Sequence, residues 1–168
     1  PARGISVGMP NGISYCFDAE KSHVVFGWFG VFMDVGPDRG NGRGRGGRPN
    51  RTLGTRFSVG AGGFPVRIGE KKPNEVQFRG YRRAKKEDVS FRYDVDGVSV
   101  QQKISPAKAG VGLAYQFTIE DAQSDVTFTV DREQVNAKAT KGKWNGNELK
   151  LTLAEAKSFT VEVMQKYN

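Results

Sequence analysis

The sequence has very few of the residues that build metal centres and disulfides. It contains one cysteine, Cys16, and one histidine, His23, among 168 residues. A single cysteine excludes an internal disulfide and a cysteine-rich zinc site, and a single histidine excludes a multi-histidine metal centre. No CxxCH motif occurs, which excludes covalent attachment of a c-type haem to this chain. We therefore expect no metal and no cofactor.

Long hydrophobic runs are also missing. No apolar stretch approaches the roughly 18 residues that mark a membrane-spanning helix, so we predict no membrane span. The chain begins with Pro1 rather than methionine. We expect it to be a processed or excised piece of a longer protein, which leaves room for an upstream targeting segment that has been removed.

Positive charge is in excess, because 26 lysines and arginines face 18 aspartates and glutamates, giving a net charge of +8. Such an excess favours anionic partners: nucleic acid, acidic glycans, anionic lipid or the acidic face of another protein. The charge by itself does not choose among them.

Short apolar runs with period-two alternation recur along the chain. The clearest is Val89–Val95, where valine and aromatic residues alternate with polar ones. Asn11-Gly12 and Asp96-Gly97 are typical of two-residue hairpin turns, whose central positions need positive φ. About twelve such strands at regular spacing predict an all-β fold, an antiparallel β-sandwich of jelly-roll or supersandwich type. We assign residues 1–168 to a single domain of this kind.

Residues 23–35 form the most apolar and aromatic run, and residues 36–56 follow it as a Gly/Arg-rich stretch. The first part predicts a long strand covered on both faces, or two strands broken at a glycine. The second part holds six arginines and no acidic residue after Asp38, and its composition predicts a loop. Arginine forks bind carboxylate or phosphate, and glycine lets backbone amides approach an anion. The candidate anion-binding residues in it are Arg39, Arg43, Arg45 and Arg48.

Aromatic side chains supply a second set of candidates. Exposed rings of Trp28, Trp144 or Tyr81 would make a platform for sugar rings, although tryptophan in an apolar strand is more often part of the core. Trp144 lies in a predicted Asn-Gly turn and is the better candidate for exposure. His23 and Cys16 lie on successive predicted strands. They would form a nucleophilic pair if they faced each other, and otherwise a buried thiol and a hydrogen-bonded histidine.

The chain also resembles a known module over about residues 1–106. The residues that carry the likeness are GISVGMPNGISYCFDAEKSHVVFGWFGVFMD, GRGGRPNRTLG, GGFPVRIG, VQFRGYRR and FRYDVDGVSVQQKISP. They resemble a β-rich domain of large extracytoplasmic proteins of planctomycetes and verrucomicrobia. There the domain accompanies c-type cytochrome domains and sugar-dehydrogenase-like propellers. The resemblance implies a periplasmic or secreted location and a c-type cytochrome or dehydrogenase partner. It assigns no catalytic residue.

Three functions remain open at this level. The leading interpretation is a non-catalytic binding or assembly module, accessory to a cytochrome- or sugar-oxidising system, that binds a protein partner or a carbohydrate. The first alternative is an enzyme acting on an acidic polysaccharide, with arginines neutralising substrate carboxylates. The second is a nucleic-acid-binding protein. Nucleic acid is disfavoured because RGG tracts that bind RNA are usually longer and mixed with exposed aromatic residues.

The Gly/Arg stretch generates a direct test. If it binds anions, Arg43→Ala combined with Arg45→Ala should abolish binding of an acidic ligand and leave the melting temperature nearly unchanged. Calorimetric titration and thermal unfolding measure the two quantities. A large fall in melting temperature would instead make these arginines structural.

Overall fold

The computed structural model describes residues 1–34, 51–83 and 88–167, and the fold they form is an all-β sandwich of antiparallel strands. It confirms the predicted fold class. The described residues form sixteen strands rather than about twelve, because several short segments pair over only two to four residues.

The largest sheet has six strands. They are β8 (Val76–Arg83), β9 (Val89–Val95), β10 (Val98–Pro106), β11 (Gly112–Thr118), β13 (Val135–Ala139) and β16 (Phe159–Gln165). Their order in the sheet is β13-β16-β11-β10-β9-β8. Alternation places one row of side chains inward on every strand, as in β9, where Val89, Phe91, Tyr93 and Val95 are buried.

Two four-stranded sheets cover the inner face of this sheet. Phe17 of the first stacks on Phe91 with ring centroids 3.8 Å apart, and Phe128 of the second packs on Phe117 at 5.5 Å. The first sheet consists of β1 (Gly4–Gly8), β2 (Ile13–Asp18), β3 (His23–Phe29) and β6 (Thr55–Phe57). The second consists of β7 (Val66–Ile68), β12 (Val126–Thr129), β14 (Lys143–Asn145) and β15 (Glu148–Leu151).

The remaining elements are small. Strands β4 (Met33–Asp34) and β5 (Arg51–Thr52) pair with each other, and α1 (Leu153–Ala156) is one helical turn. Thr152 caps this turn and Glu155 bonds back to it, which is a capping box.

The two predicted hairpin turns have different outcomes. Asp96 and Gly97 have φ of 47° and 84° between the paired residues Val95 and Val98, which confirms a two-residue turn. The Asn11-Gly12 turn is longer than predicted, because Gly8 pairs with Ser14 and the Met9 amide donates to the Ile13 carbonyl. Asn11 instead uses its side-chain oxygen to accept a hydrogen bond from the Ile13 amide.

Residues 23–35 follow the second of the two predictions, two strands broken at a glycine. The first strand ends at Phe29, Gly30 follows it with a φ of 101°, and β4 covers Met33–Asp34. The predicted loop over 36–56 is wrong at its carboxyl end, because residues 51–52 and 55–57 are strands. The sequence of these residues shows no apolar alternation. They form strands because the tertiary fold places pairing partners beside them.

Gly27 allows the closest approach within the first sheet. It pairs with Phe57, and a Cβ built on Gly27 would overlap the Phe57 ring. The ring therefore occupies the space where another residue type would carry its side chain.

We expect Gly27→Ala to lower the free energy of unfolding by about 1–3 kcal/mol, the usual range for overpacking a tight core. Urea denaturation measures this value. Gly62→Ala is the matched control, because a Cβ on Gly62 meets no atom within 4 Å. Equal stability of the two variants would contradict the tight packing of Phe57 on Gly27.

Candidate functional site

Trp28 lies at the base of the segment that enters the Gly/Arg stretch. Its side chain is fully buried, its ring stacks on Phe32 with centroids 5.8 Å apart, and its Nε1 donates a hydrogen bond of 2.7 Å to the Phe32 carbonyl oxygen. A buried ring cannot offer a face to a sugar. The structure therefore places Trp28 in a structural position.

The chain returns from the Gly/Arg stretch directly over Trp28. A Cβ on Gly54 would overlap the Phe29 carbonyl oxygen and lie 2.8 Å from Trp28 Cδ1, so only glycine fits this crossing. Next to it, Met33 pairs with Thr52 and Asp34 with Arg51. This pairing holds residues 33–34 beside residues 51–52. Arg39, Arg43, Arg45 and Arg48 lie outside the described residues.

Apolar side chains are exposed around this crossing. The exposed fractions are 37% for Phe29, 64% for Val31, 39% for Phe32 and 56% for Leu53. Exposed arginines stand beside them: Arg56 lies 4.2 Å above the centre of the Phe26 ring and donates from Nε to the Thr52 hydroxyl at 3.2 Å. We call Phe29, Val31, Phe32, Arg51, Leu53 and Arg56 together the hairpin surface.

Cys16 and His23 do not face each other across the β2–β3 pair. Cys16 is opposite Phe26, and His23 is opposite Asp18. Burial raises the pKa of the Cys16 thiol and lowers the pKa of His23, so both groups are held neutral. A nucleophilic cysteine needs the reverse, a thiolate stabilised by an imidazolium. The geometry favours the structural role for both side chains, with His23 Nδ1 3.4 Å from the Lys21 carbonyl oxygen.

Trp144 lies in strand β14 and packs partly against the core. Arg132 covers its ring, with the guanidinium carbon 4.7 Å from the ring centre, and donates from Nη1 to the Gly146 carbonyl oxygen. One face of the ring is therefore occupied by a cation. Trp144 is less accessible than its position near an Asn-Gly turn predicted.

Tyr81 is the predicted aromatic candidate with the most exposed side chain. It is 60% exposed on the edge strand β8, and its ring centre is 6.1 Å from that of Phe91. Along β8 and β9 the structure shows a cleft with a volume of about 290 Å³, and Tyr81 and Phe91 contribute to its lining. We call the rest of the lining, on the outer face of these strands, the arginine cleft: Arg79, Gly80, Arg82, Ser90, Arg92 and Gln101.

The sequence patterns singled out Tyr81, but they singled out no residue of the arginine cleft. The signal was present in two places: the basic run within Val76–Arg83, and the polar face of Val89–Val95. Strand alternation placed Arg92 on the outer face, but only the pairing of β8 with β9 brings Arg82 to the same surface. The register between two strands does not follow from either strand alone.

No family model, curated protein or solved structure matches this chain. Within the described part of the chain no group of histidine, cysteine and carboxylate side chains has the arrangement of a metal site. A helix with the length and apolar character needed to cross a bilayer is likewise absent from residues 1–34, 51–83 and 88–167.

The anchoring role of Trp28 can be tested with Trp28→Phe. This change leaves the Phe32 carbonyl without its buried donor, and we expect a loss of about 2 kcal/mol in the free energy of unfolding. Amide exchange at Met33 and Thr52 should accelerate as well. Trp144→Phe is the matched control, and we expect it to leave exchange at these two amides unchanged. Unchanged exchange in Trp28→Phe would show that the pairing of β4 with β5 does not depend on the indole.

Proposed function

We propose that this chain is a non-catalytic binding module that docks a protein partner with an acidic face. The observation that carries the proposal is the composition of the hairpin surface. Of the seven large apolar side chains that are exposed among the described residues, four belong to it. Clustered exposed apolar side chains mark interaction sites, whereas scattered ones do not.

Charge supports an acidic partner. The sequence from residue 39 to residue 69 contains no aspartate or glutamate, and Arg51 and Arg56 contribute positive charge directly to the hairpin surface. Apolar and aromatic side chains with arginine are the usual composition of a protein interface, where lysine and carboxylates are depleted. An opposing acidic face would speed association and fix orientation.

The anchoring of the hairpin surface supports a binding role. Trp28 is buried beneath it, and the pairing of β4 with β5 holds its two segments, residues 29–32 and 51–56, together. A surface that is ordered before binding avoids part of the entropy that association otherwise costs. The side chains that would contact a partner are therefore presented by a packed base.

The distribution of shifted pKa values favours binding over catalysis. Burial raises the pKa of Tyr15, Tyr93 and Tyr115 strongly, but these phenols lie in the core between the sheets. The carboxylates of Glu148 and Glu155 have a lowered pKa, chiefly because Lys150 and the Thr152 backbone amide donate hydrogen bonds to them. An acid that transfers a proton to a polysaccharide needs a raised pKa and a place beside substrate.

The resemblance in the sequence supports a more specific proposal. Modules of that kind accompany c-type cytochrome and sugar-dehydrogenase-like domains in extracytoplasmic proteins, so we propose a periplasmic or secreted location. The partner proposed for the hairpin surface is a c-type cytochrome or dehydrogenase domain with an acidic face.

Binding to purified c-type cytochromes tests the proposal. We expect surface plasmon resonance to show binding to an acidic cytochrome and at least tenfold weaker binding to a basic one. Val31→Ser combined with Leu53→Ser should weaken binding about tenfold, because each removes exposed apolar area that an interface would bury. Arg51→Glu should slow association and reduce its dependence on salt.

The matched control is Leu153→Ser, because Leu153 is 41% exposed but lies on α1, outside the hairpin surface. It should bind as the unchanged protein does. Equal weakening by Leu153→Ser, or unchanged binding by the double variant, would contradict docking through the hairpin surface. Binding to RNA that weakens steeply with salt would favour the nucleic-acid alternative.

A further inference from the structure

The arginine cleft lies on the outer face of the six-stranded sheet, a different sheet from the one that carries the hairpin surface. Three residues form a row across its strands: Gly80 pairs with Arg92, and Arg92 pairs with Gln101. Arg82 pairs with Ser90 in the next row on the same face. Cross-strand neighbours and their diagonals lie about 5–8 Å apart, within reach of arginine side chains.

Gly80 creates the space in the middle of this group. The register of β8 against β9 shifts between Phe78 and Gly80, which leaves Arg79 without a cross-strand partner. Gly80 has a φ of 123°, a backbone conformation that disfavours a side chain, and a Cβ placed on it meets no atom within 4 Å. Bulges of this kind re-aim side chains at binding sites.

Among the residues that the structure describes, the charges around the space do not balance. Arg79 is bonded to Asp94 at 2.7 Å, and Lys103 to Asp88 at 2.7 Å. Arg82 and Arg92 are exposed and form no ion pair with any residue in the described ranges 1–34, 51–83 and 88–167. Among these described side chains, four cations and two carboxylates leave two positive charges beside the open space at Gly80.

We propose that the arginine cleft binds a carboxylate-bearing sugar, a uronate unit of an acidic polysaccharide. The guanidinium groups of Arg82 and Arg92 receive the carboxylate, because an arginine fork matches its two oxygens. Arg79 stays paired with Asp94 and borders the cleft. This inference does not depend on the docking proposed for the hairpin surface.

The neutral groups of the cleft favour a sugar over a bare anion. The Gln101 amide and the Ser90 hydroxyl each donate and accept hydrogen bonds, which suits the hydroxyl groups of a sugar ring. The absence of a side chain at Gly80 leaves open space between them, where a sugar ring can lie against the backbone. A volume of about 290 Å³ is near the lower limit of ligand pockets and suits one sugar unit. The position of β8 at the sheet edge leaves room for a polymer to continue.

Calorimetric titration with an oligogalacturonate of defined length tests the proposal. We expect the unchanged protein to bind it, and the uncharged galactose oligomer of the same length to show no measurable binding. Arg82→Ala and Arg92→Ala should each weaken binding about tenfold, and Arg92→Lys should recover only part of the loss because lysine keeps the charge without the fork. Inorganic phosphate should not compete at equal concentration.

Two controls keep the result specific. Lys71→Ala combined with Lys141→Ala removes the same net charge as the two arginine changes together, from exposed positions outside the cleft, and should leave affinity nearly unchanged. Arg51→Glu alters the hairpin surface and should also leave it unchanged. If the lysine double variant weakens uronate binding as much as the arginine variants do, the effect comes from overall charge and the proposed site is wrong. Competition by phosphate as strong as that of the uronate would overturn the sugar assignment, and loss of binding in Arg51→Glu would place the ligand at the hairpin surface.

Discussion

The packing of aromatic rings between the sheets is the constraint on which the rest of this structure depends. Phe17 stacks on Phe91 at 3.8 Å with only 8° between the ring planes, and Tyr15 meets the same ring edge-on at 6.2 Å. These contacts fix the first four-stranded sheet on the β8–β9 end of the six-stranded sheet. The hairpin surface and the arginine cleft both depend on this arrangement. The hairpin surface lies on the outer side of the first four-stranded sheet, and the arginine cleft lies on the outer side of the six-stranded sheet.

The two surfaces differ in how they are built. The hairpin surface depends on a single buried indole, since Trp28 fills the space between its sheet and the crossing chain and satisfies the Phe32 carbonyl. The arginine cleft depends on an irregularity of the backbone, the bulge at Gly80, which interrupts a row of side chains on an otherwise regular sheet. One surface combines apolar side chains with arginine and suits a protein, while the other is polar and concave and suits a small anionic group.

Apolar alternation made much of this fold predictable. The pattern of Val89–Val95 and the positive-φ demand of Asp96-Gly97 hold in the structure because both are local, involving neighbours along one chain segment. The predicted roles of Trp28 and Trp144 depended on exposure, which is not local. Trp28 is covered by Phe32 and Gly54, and Trp144 by Arg132. The periodicity of the strand that contains each tryptophan does not indicate which other part of the chain covers the ring.

The fold class, the positive charge, and the lack of cysteine and histidine clusters could all be predicted from the order of residues, because they follow from composition and period-two patterning. Which aromatic rings are accessible, and which arginines share a surface, depends on how the sheets pack. Strand register brings Arg82 beside Arg92, and it separates Cys16 from His23. Register is set by the combined packing of whole sheets, so a shift of one residue would move every one of these side chains to the other face.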